Sequence, residues 1–379
     1  MTGAVGIAVG AAGGTVLVIA AIDLFITVFN DDGFNFLASR LHGVLWAVVR
    51  TSSRPLPKAK RASYLSVGSA GMLPLTLLWW LGLEVTGFAL MYLPGLATGE
   101  FAAQNRTLLG AGGAFYLSGG DLTSLTFGDL VARSAVYRAL LDLETVIGLA
   151  TFTIGLTYVI AAFEALGALN QLHGRVRRHA ISPNQPASIL ARHFLRGRAE
   201  GISSLVQSLV EDLADYDDAL RRYPVVFYFH TRQAERSVPM IYAALGQLIE
   251  LLRFGLPTSQ EVTQDPYVLA LEDQYTITGE RLLRSFVGPP PAPAQQQMAP
   301  RRFAAAYAAH QEPGVRAFAS LRAEAAEATG LALSDDPASP ELYKQYVEWE
   351  AFHTRRDAVE QRLRRALCYD EEAAVEHPG

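Results

Sequence analysis

The sequence predicts an all-α membrane protein that carries a helical soluble domain of similar size, and three observations predict it. Half of the 379 residues are hydrophobic, and they gather into long runs. From Ala4 to Phe29 the only charged residue is Asp23, from Leu65 to Pro94 it is Glu84, and from Val146 to Ala162 there is none. A helical span needs about 20 apolar residues at about 1.5 Å of rise each, so these runs mark three spans. Second, basic residues cluster in the link between the first two spans (Arg40, Arg50, Arg54, Lys58, Lys60, Arg61) and after the third (Arg175, Arg177, Arg178, Arg192, Arg196, Arg198). By the positive-inside rule both belong to the cytoplasm, which puts the N-terminus outside and the C-terminal region inside. Third, beyond Leu166 the pattern becomes charged and amphipathic. The net charge of -5 averages these two regions and excludes no partner.

The N-terminal run, residues 1–30, is expected to be a retained span and not a cleaved signal. No Lys or Arg precedes Arg40, and the run ends in Asp23-Leu24-Phe25-Ile26-Thr27-Val28-Phe29, not in a small-residue cleavage site. Asp23, near its inner end, is expected to pair with Arg40 or Arg50. In residues 31–63, Phe34, Leu37, Leu41, Leu45, Val48 and Val49 recur near helical spacing among Arg40, His42 and Arg50. They form either a helix at the inner membrane surface or one packed on the cytoplasmic domain. Arg54-Pro55-Leu56-Pro57 ends it, because proline lacks an amide donor and restricts its predecessor.

Residues 64–166 form one unit: an outer helix over 65–94, a short helix over about 112–123, a loop over 124–129 and an inner helix over 135–166. Glu84, in the middle of the second span, is expected to face protein, since a charge in lipid is costly. Between the spans lies Ala114-Phe115-Tyr116-Leu117-Ser118-Gly119-Gly120-Asp121-Leu122-Thr123-Ser124-Leu125-Thr126-Phe127-Gly128-Asp129.

That stretch resembles the pore loop of the potassium channel superfamily. There a short helix enters the membrane and its chain returns as Thr-Val-Gly-Tyr-Gly-Asp, whose carbonyls replace the water around the ion. The resemblance covers about Leu65 to Leu166 and departs at two positions: Thr126 stands for the first glycine and Phe127 for tyrosine. It implies a selectivity filter of Thr123, Ser124, Leu125, Thr126, Phe127, Gly128 and Asp129, with K⁺ or other monovalent cations as its ligands and no other cofactor or metal. One loop per chain implies a homotetramer in the plasma membrane. Gly148, about 19 residues after Asp129, falls where inner helices of the family bend; it and Gly155 serve either as hinges or as packing contacts. With a hinge there, Leu149, Phe152, Leu156 and Ile160 line an apolar cavity. Glu144 is expected to support the filter through the Thr123 or Ser124 hydroxyls, the alternative being an ion pair with Arg133 or Arg138. Asp121 is expected, with Glu144, to support the filter, and Asp121 and Asp129 would give the outer mouth a negative potential.

The rest, residues 167–287 and 302–379, reads as helical, with a Pro/Gln-rich linker at 288–301. Helices are predicted from Ile202 through Leu213, over Val238–Arg253 with a stop at Gly255 and Pro257, over Pro266–Val287, over Pro313–Thr329, and over Pro340–Cys368 with Ser339 as N-cap, the last followed by an acidic tail. Tyr223–His230, apolar and aromatic, is expected to pack in a core or between subunits. The cluster Asp212, Asp215, Asp217, Asp218 reads as a solvated helix terminus, with a divalent-cation site as the alternative. No phosphate loop, dinucleotide fingerprint or EF-hand spacing occurs, the eight histidines are scattered, and the one cysteine, Cys368, excludes an intrachain disulfide. No enzyme activity and no nucleic-acid partner are expected; the partners are lipid and further copies of the chain, with any cytoplasmic ligand unidentified. Thr126 favours a poorly selective cation pore as the alternative within channels, and a non-conducting sensor or scaffold is the alternative outside them.

Overall fold

The computed structural model describes residues 3–29, 37–125, 127–179, 186–195, 198–289, 298–333 and 335–369. Contacts divide the chain into two compact units, one of residues 1–57, 67–164 and 221–226, the other of residues 58–66, 165–220 and 227–379.

In the first unit α1 (Gly3–Phe29) packs along α4 (Met72–Thr98). The approach is close because it is made through glycine: a Cβ at Gly13 would lie 2.4 Å from the Gly87 carbonyl oxygen, the small-residue contact by which membrane helices associate. Between them in the sequence come α2 (Ala38–Ser53) and α3 (Lys58–Ala70), separated by the expected Arg54–Pro57 turn. The side of α2 turned inward is the one bearing His42 and Trp46, fixed by a 2.9 Å bond from His42 Nε2 to Thr76 Oγ1. Val44 and Val48 stay exposed, so the expected Leu41/Leu45/Val48 stripe is rotated about one residue away from the contact; Phe34 lies outside the described residues.

The outer helix does not stop at Pro94. It runs to Thr98 and ends where Gly99 takes φ +84°, a conformation glycine reaches without strain; Pro94 removes one helical hydrogen bond, which membrane helices tolerate. A short helix α5 (Ala111–Leu122) follows, within one residue of the predicted bounds, and then α6 (Ala135–His179), which continues past residue 166 without a break. Two three-residue strands, β1 (Phe101–Ala103) and β2 (Leu130–Ala132), pair antiparallel with Phe101 opposite Ala132. They bring Phe101 against Tyr92 and Tyr137 in the buried cluster of Phe88, Tyr92, Leu96, Ala114 and Leu130. Three helices, Gly3–Phe29, Lys60–Thr98 and Ala135–His179, are long and apolar enough to cross a membrane.

The second unit is helical apart from a hairpin of β3 (Phe194–Leu195) and β4 (Arg198–Ala199) that follows a short α7 (Ala187–His193); neither has a sequence signal above its neighbours. The helix predicted from Ile202 is α8 (Ile202–Arg222), burying Leu205, Val206, Leu209, Leu213, Tyr216 and Leu220. Next come α9 (Val238–Glu250) and α10 (Pro266–Leu282), each of which ends in five residues of wider i→i+5 turns, Leu251–Gly255 and Leu283–Val287. Asp265 caps α10 by accepting from the Tyr267 amide at 2.8 Å, with Pro266 at the first helical position. Helix α11 (Pro300–Ala309) starts inside the expected linker, whose residues 290–297 lie outside the described ones. Helices α12 (Pro313–Thr329) and α13 (Pro340–Leu367) match their predicted bounds, with Ser339 accepting from the Glu341 amide. The tail beyond Tyr369 is outside the described residues, as is Arg196.

The acidic cluster is not a solvated helix terminus, since it lies within α8 and of its four members only Asp215 is exposed. Asp212 is buried and salt-bridged to Arg175, and Asp217 receives Arg281. Among the described residues no group of three ligand side chains is placed to hold a metal ion. Val225, Val226 and Phe227 are buried, as expected for the Tyr223–His230 stretch, and Phe227 stacks on Phe286 with ring centroids 4.1 Å apart.

Candidate site at the loop between the second and third spans

Helix α5 is held by a hydroxyl–carboxylate arrangement that sequence spacing missed. Glu144 on α6, with no exposed surface, accepts from the Tyr92 hydroxyl of α4 at 2.5 Å and from the Ser118 hydroxyl of α5 at 2.5 Å. One carboxylate therefore ties three helices. Its expected partners are otherwise engaged: the Thr123 hydroxyl donates to the Gly119 carbonyl of its own helix at 2.7 Å, and Arg138 donates to the Ala132 and Arg133 carbonyls. A second tie joins Glu84 of α4 to the Thr151 hydroxyl of α6 at 2.5 Å, which places Glu84 against protein as expected. Asp23 is held by the Leu37 and Ala38 amides at 2.7 and 3.2 Å and the Trp80 indole at 2.9 Å, in place of the expected arginine. Arginine is costly to carry into hydrocarbon, whereas amides and an indole are already there.

The two glycines of α6 seat neighbouring helices. A Cβ at Gly148 would lie 2.4 Å from the Leu122 carbonyl oxygen at the end of α5, and one at Gly155 would lie 2.3 Å from Leu77 Cδ1. Both are close-approach positions, the packing reading of these residues. The face carrying Leu149, Phe152, Leu156 and Ile160 is exposed on the single chain, at 66, 52, 48 and 53%.

At the end of α5 the chain closes with Ser124 N–H donating to the Asp121 carbonyl at 2.9 Å and Leu125 N–H to the Gly120 carbonyl at 2.7 Å. Ser124 takes φ +59° and Gly128 φ +74°; Thr126, the position of greatest interest in the sequence, lies outside the described residues. Phe127 stacks on Tyr116 of α5, ring centroids 5.0 Å apart and planes 16° from parallel, and a Cβ at Gly120 would come within 3.1 Å of that ring. The Tyr116 hydroxyl donates to Asp129 Oδ2 at 3.1 Å, and the Asp129 carbonyl accepts from the Gln104 amide at 2.9 Å. Asp129 is thus a strut for the loop. Asp121, expected at an open mouth, is 4% exposed; it lines a cavity of about 450 Å³ beneath the loop, with Asp129, Arg138, Asp142 and Thr145. Tyr92, Tyr116 and Ser118 gave no sequence signal because a hydroxyl donor leaves no charge pattern.

The chain is 24% identical over 242 residues to a protein of Bacillus subtilis (strain 168) named "Uncharacterized membrane protein YdjJ", an alignment covering 64% of this chain and 68% of that one. No protein-family model matches, and no solved structure matches.

Proposed function

We propose that the protein is a passive cation channel of the potassium-channel type, assembled as a homotetramer in the plasma membrane with its N-terminus outside and its C-terminal domain in the cytoplasm. The observation that carries this reading is the short α5 between two spans, tied to both by Glu144 and leading into a loop with left-handed residues at Ser124 and Gly128. Carbonyls that line a pore need such alternating backbone conformations, because regular structure would turn every second one away. The exposed stripe from Leu149 to Ile160 supports assembly, since four copies around an axis would share it as an apolar cavity wall or interface. Basic links on one side of the spans support the orientation. Inner-helix motion would gate conduction, with the C-terminal domain modulating it.

The same loop favours weaker K⁺ over Na⁺ discrimination than the family norm. Phe127 carries no hydroxyl to tie the loop to its surroundings; stacking on Tyr116 stands in for that bond. Thr126, β-branched, reaches φ > 0 only at a cost. Purified protein in liposomes should show mass consistent with a tetramer and pass K⁺ and, less readily, Na⁺, and Thr126→Gly should sharpen the preference. Intact tetramers that pass neither ion would overturn the channel reading in favour of a membrane sensor or scaffold; high K⁺ selectivity in the unmodified protein would overturn the argument from Thr126 alone.

A further inference from the structure

The last turns of α6 are fastened within the C-terminal unit along one face, through Gln171, Arg175 and His179 at helical spacing i, i+4 and i+8. Two of these fastenings share one carboxylate. Gln171 donates to Asp212 of α8 at 2.7 Å, and Arg175 donates to both oxygens of the same group. The third is made of two half-buried imidazoles: His179 Nδ1 lies 3.2 Å from His193 Nε2 at the end of α7, with the ring planes 29° from parallel. Beside it the Arg192 guanidinium donates to the Arg178 carbonyl at 3.0 Å.

The partners of the two rings fix where their protons sit. His193 Nδ1 is 3.0 Å from the Glu200 carbonyl, and a carbonyl only accepts, so Nδ1 holds the proton and Nε2 of the neutral ring is bare. His179 Nδ1 must then donate to it. A proton added at His193 Nε2 is tolerated only if His179 moves its own proton to its far nitrogen, and a second sets N–H against N–H. The charged neighbours oppose even the first. They are Arg175 and Arg178 on α6 and Arg192 on α7, while Asp212 on α8 is taken by Arg175 and the Glu200 side chain after β4 is exposed. Helix α12, packed on α7 and β3, carries Arg316, Glu324 and Glu327 exposed and Arg322 paired with Asp335. Burial first, and then the cations around it, hold the His179 pKa below its ordinary value.

We propose that this imidazole pair is a proton-operated latch: in neutral solution it holds α7 and the β3–β4 hairpin to the end of α6, and mild acid opens it while the fastenings to Asp212, which contain no imidazole, stay closed. The sign follows from the bonding. The latched state refuses protons that the open rings accept, so the hold is fully present above about pH 6.5 and is lost as pH falls below it. Helix α6 is the inner helix of the proposed channel, yet the latch stands on bonds within the C-terminal unit and not on conduction.

Amide exchange over residues 187–200 of the full-length protein in detergent is followed by mass spectrometry at about pH 7.5 and about pH 5, corrected for the intrinsic rate. Acid is expected to speed it on the order of tenfold or more beyond any change in α8, because each released imidazole takes up a proton. His179→Asn keeps an amide donor near the place of Nδ1, turns its carbonyl to a protonated His193, and does not titrate, so its exchange should stay slow at both values. His179→Ala should be fast at both. Exchange in the unmodified protein that ignores pH, an undiminished acid response in His179→Asn, or slow neutral exchange in His179→Ala would each overturn the latch. Protection in α8 shows that each variant is folded, and should either fail to fold, the two-pH comparison on the unmodified protein still stands as the test. Liposome flux on the same preparations reads the channel independently: an acid-opened latch without flux retires the channel and keeps the latch, and flux with a hairpin indifferent to pH does the reverse.

Discussion

The two units answer buried carboxyl groups in opposite ways. In the membrane unit Asp23, Glu84 and Glu144 are buried, and each is met by neutral donors: two amides and an indole, a threonine hydroxyl, and a tyrosine with a serine hydroxyl. In the C-terminal unit Asp212, Asp217 and Glu250 are buried against Arg175, Arg281 and Arg356, and Asp335 is held by Arg322. Hydrocarbon makes a guanidinium expensive, so spans recruit donors that cost little to insert. Beside water, an arginine can lay its stem on the core while its head pairs. The membrane unit is therefore joined by directional but individually modest bonds, and the C-terminal unit by pairs that are dangerous to half-remove.

The sharpest way to break this comparison is Arg356→Met, which leaves Glu250 buried with only His353 beside it. Stranding a buried charge costs about 3–5 kcal/mol, visible as early melting of the C-terminal unit and faster amide exchange in α9 and α13. A loss below about 1 kcal/mol would mean the pair is only a surface ornament.

Acid should expose the same unit next. His230 is buried, its ring parallel to Tyr369 with centroids 4.4 Å apart, and burial, with Arg61 nearby, lowers its pKa to about 4. Its folded value lies below its unfolded one. Its contribution is therefore fully present above about pH 6.5 and is lost as pH falls toward 4, when the unfolded chain takes a proton that the folded chain refuses. The expected loss is on the order of 2–3 kcal/mol at about pH 4.5, read from melting of the unit across that range; a His230→Phe variant with the same slope would refute the assignment.

Gly148→Ala tests the membrane unit. Its Cβ would meet the Leu122 carbonyl, so α5 must move from α6, at about 1–3 kcal/mol for an overpacked contact. Loss of thermal stability together with altered flux fits a seat for α5. Unchanged stability with altered flux alone would restore the hinge.

The smallest effect is expected for Glu144→Gln, about 1 kcal/mol, because an amide can still accept from one hydroxyl and neither partner is charged. If it costs more than Arg356→Met, the contrast between the units fails.

The spans were legible because Asp23 and Glu84 stand alone in their runs. The ends of the C-terminal helices were legible because Pro266, Pro313 and Ser339-Pro340 act locally. What tied the elements together was hidden for a physical reason. Tyr92 reaches Glu144 across 52 positions, and a hydroxyl has no charge to advertise the match. The acidic cluster misled in the same way: four aspartates adjacent in sequence read as one feature, yet at about 100° per residue a helix turns Asp212 and Asp217 to different partners, Arg175 and Arg281. Strands of three residues, such as Phe101–Ala103, are too short for alternation to register. In the candidate site the loop's location and α5 were readable, whereas the burial of Asp121 depends on how α5 packs against α4 and α6.

The bonds to Asp23 also set an order of manufacture. Its donors are the Leu37 and Ala38 amides, 14 and 15 positions on, and the Trp80 indole, 57 positions later. One oxygen of that carboxylate is met by the chain that directly follows α1, whereas the other has no donor until Trp80 of α4 arrives, and the glycine seam at Gly13 and Gly87 closes only with the same helix. The bonding of the first span is therefore complete only once α1 and α4 lie side by side.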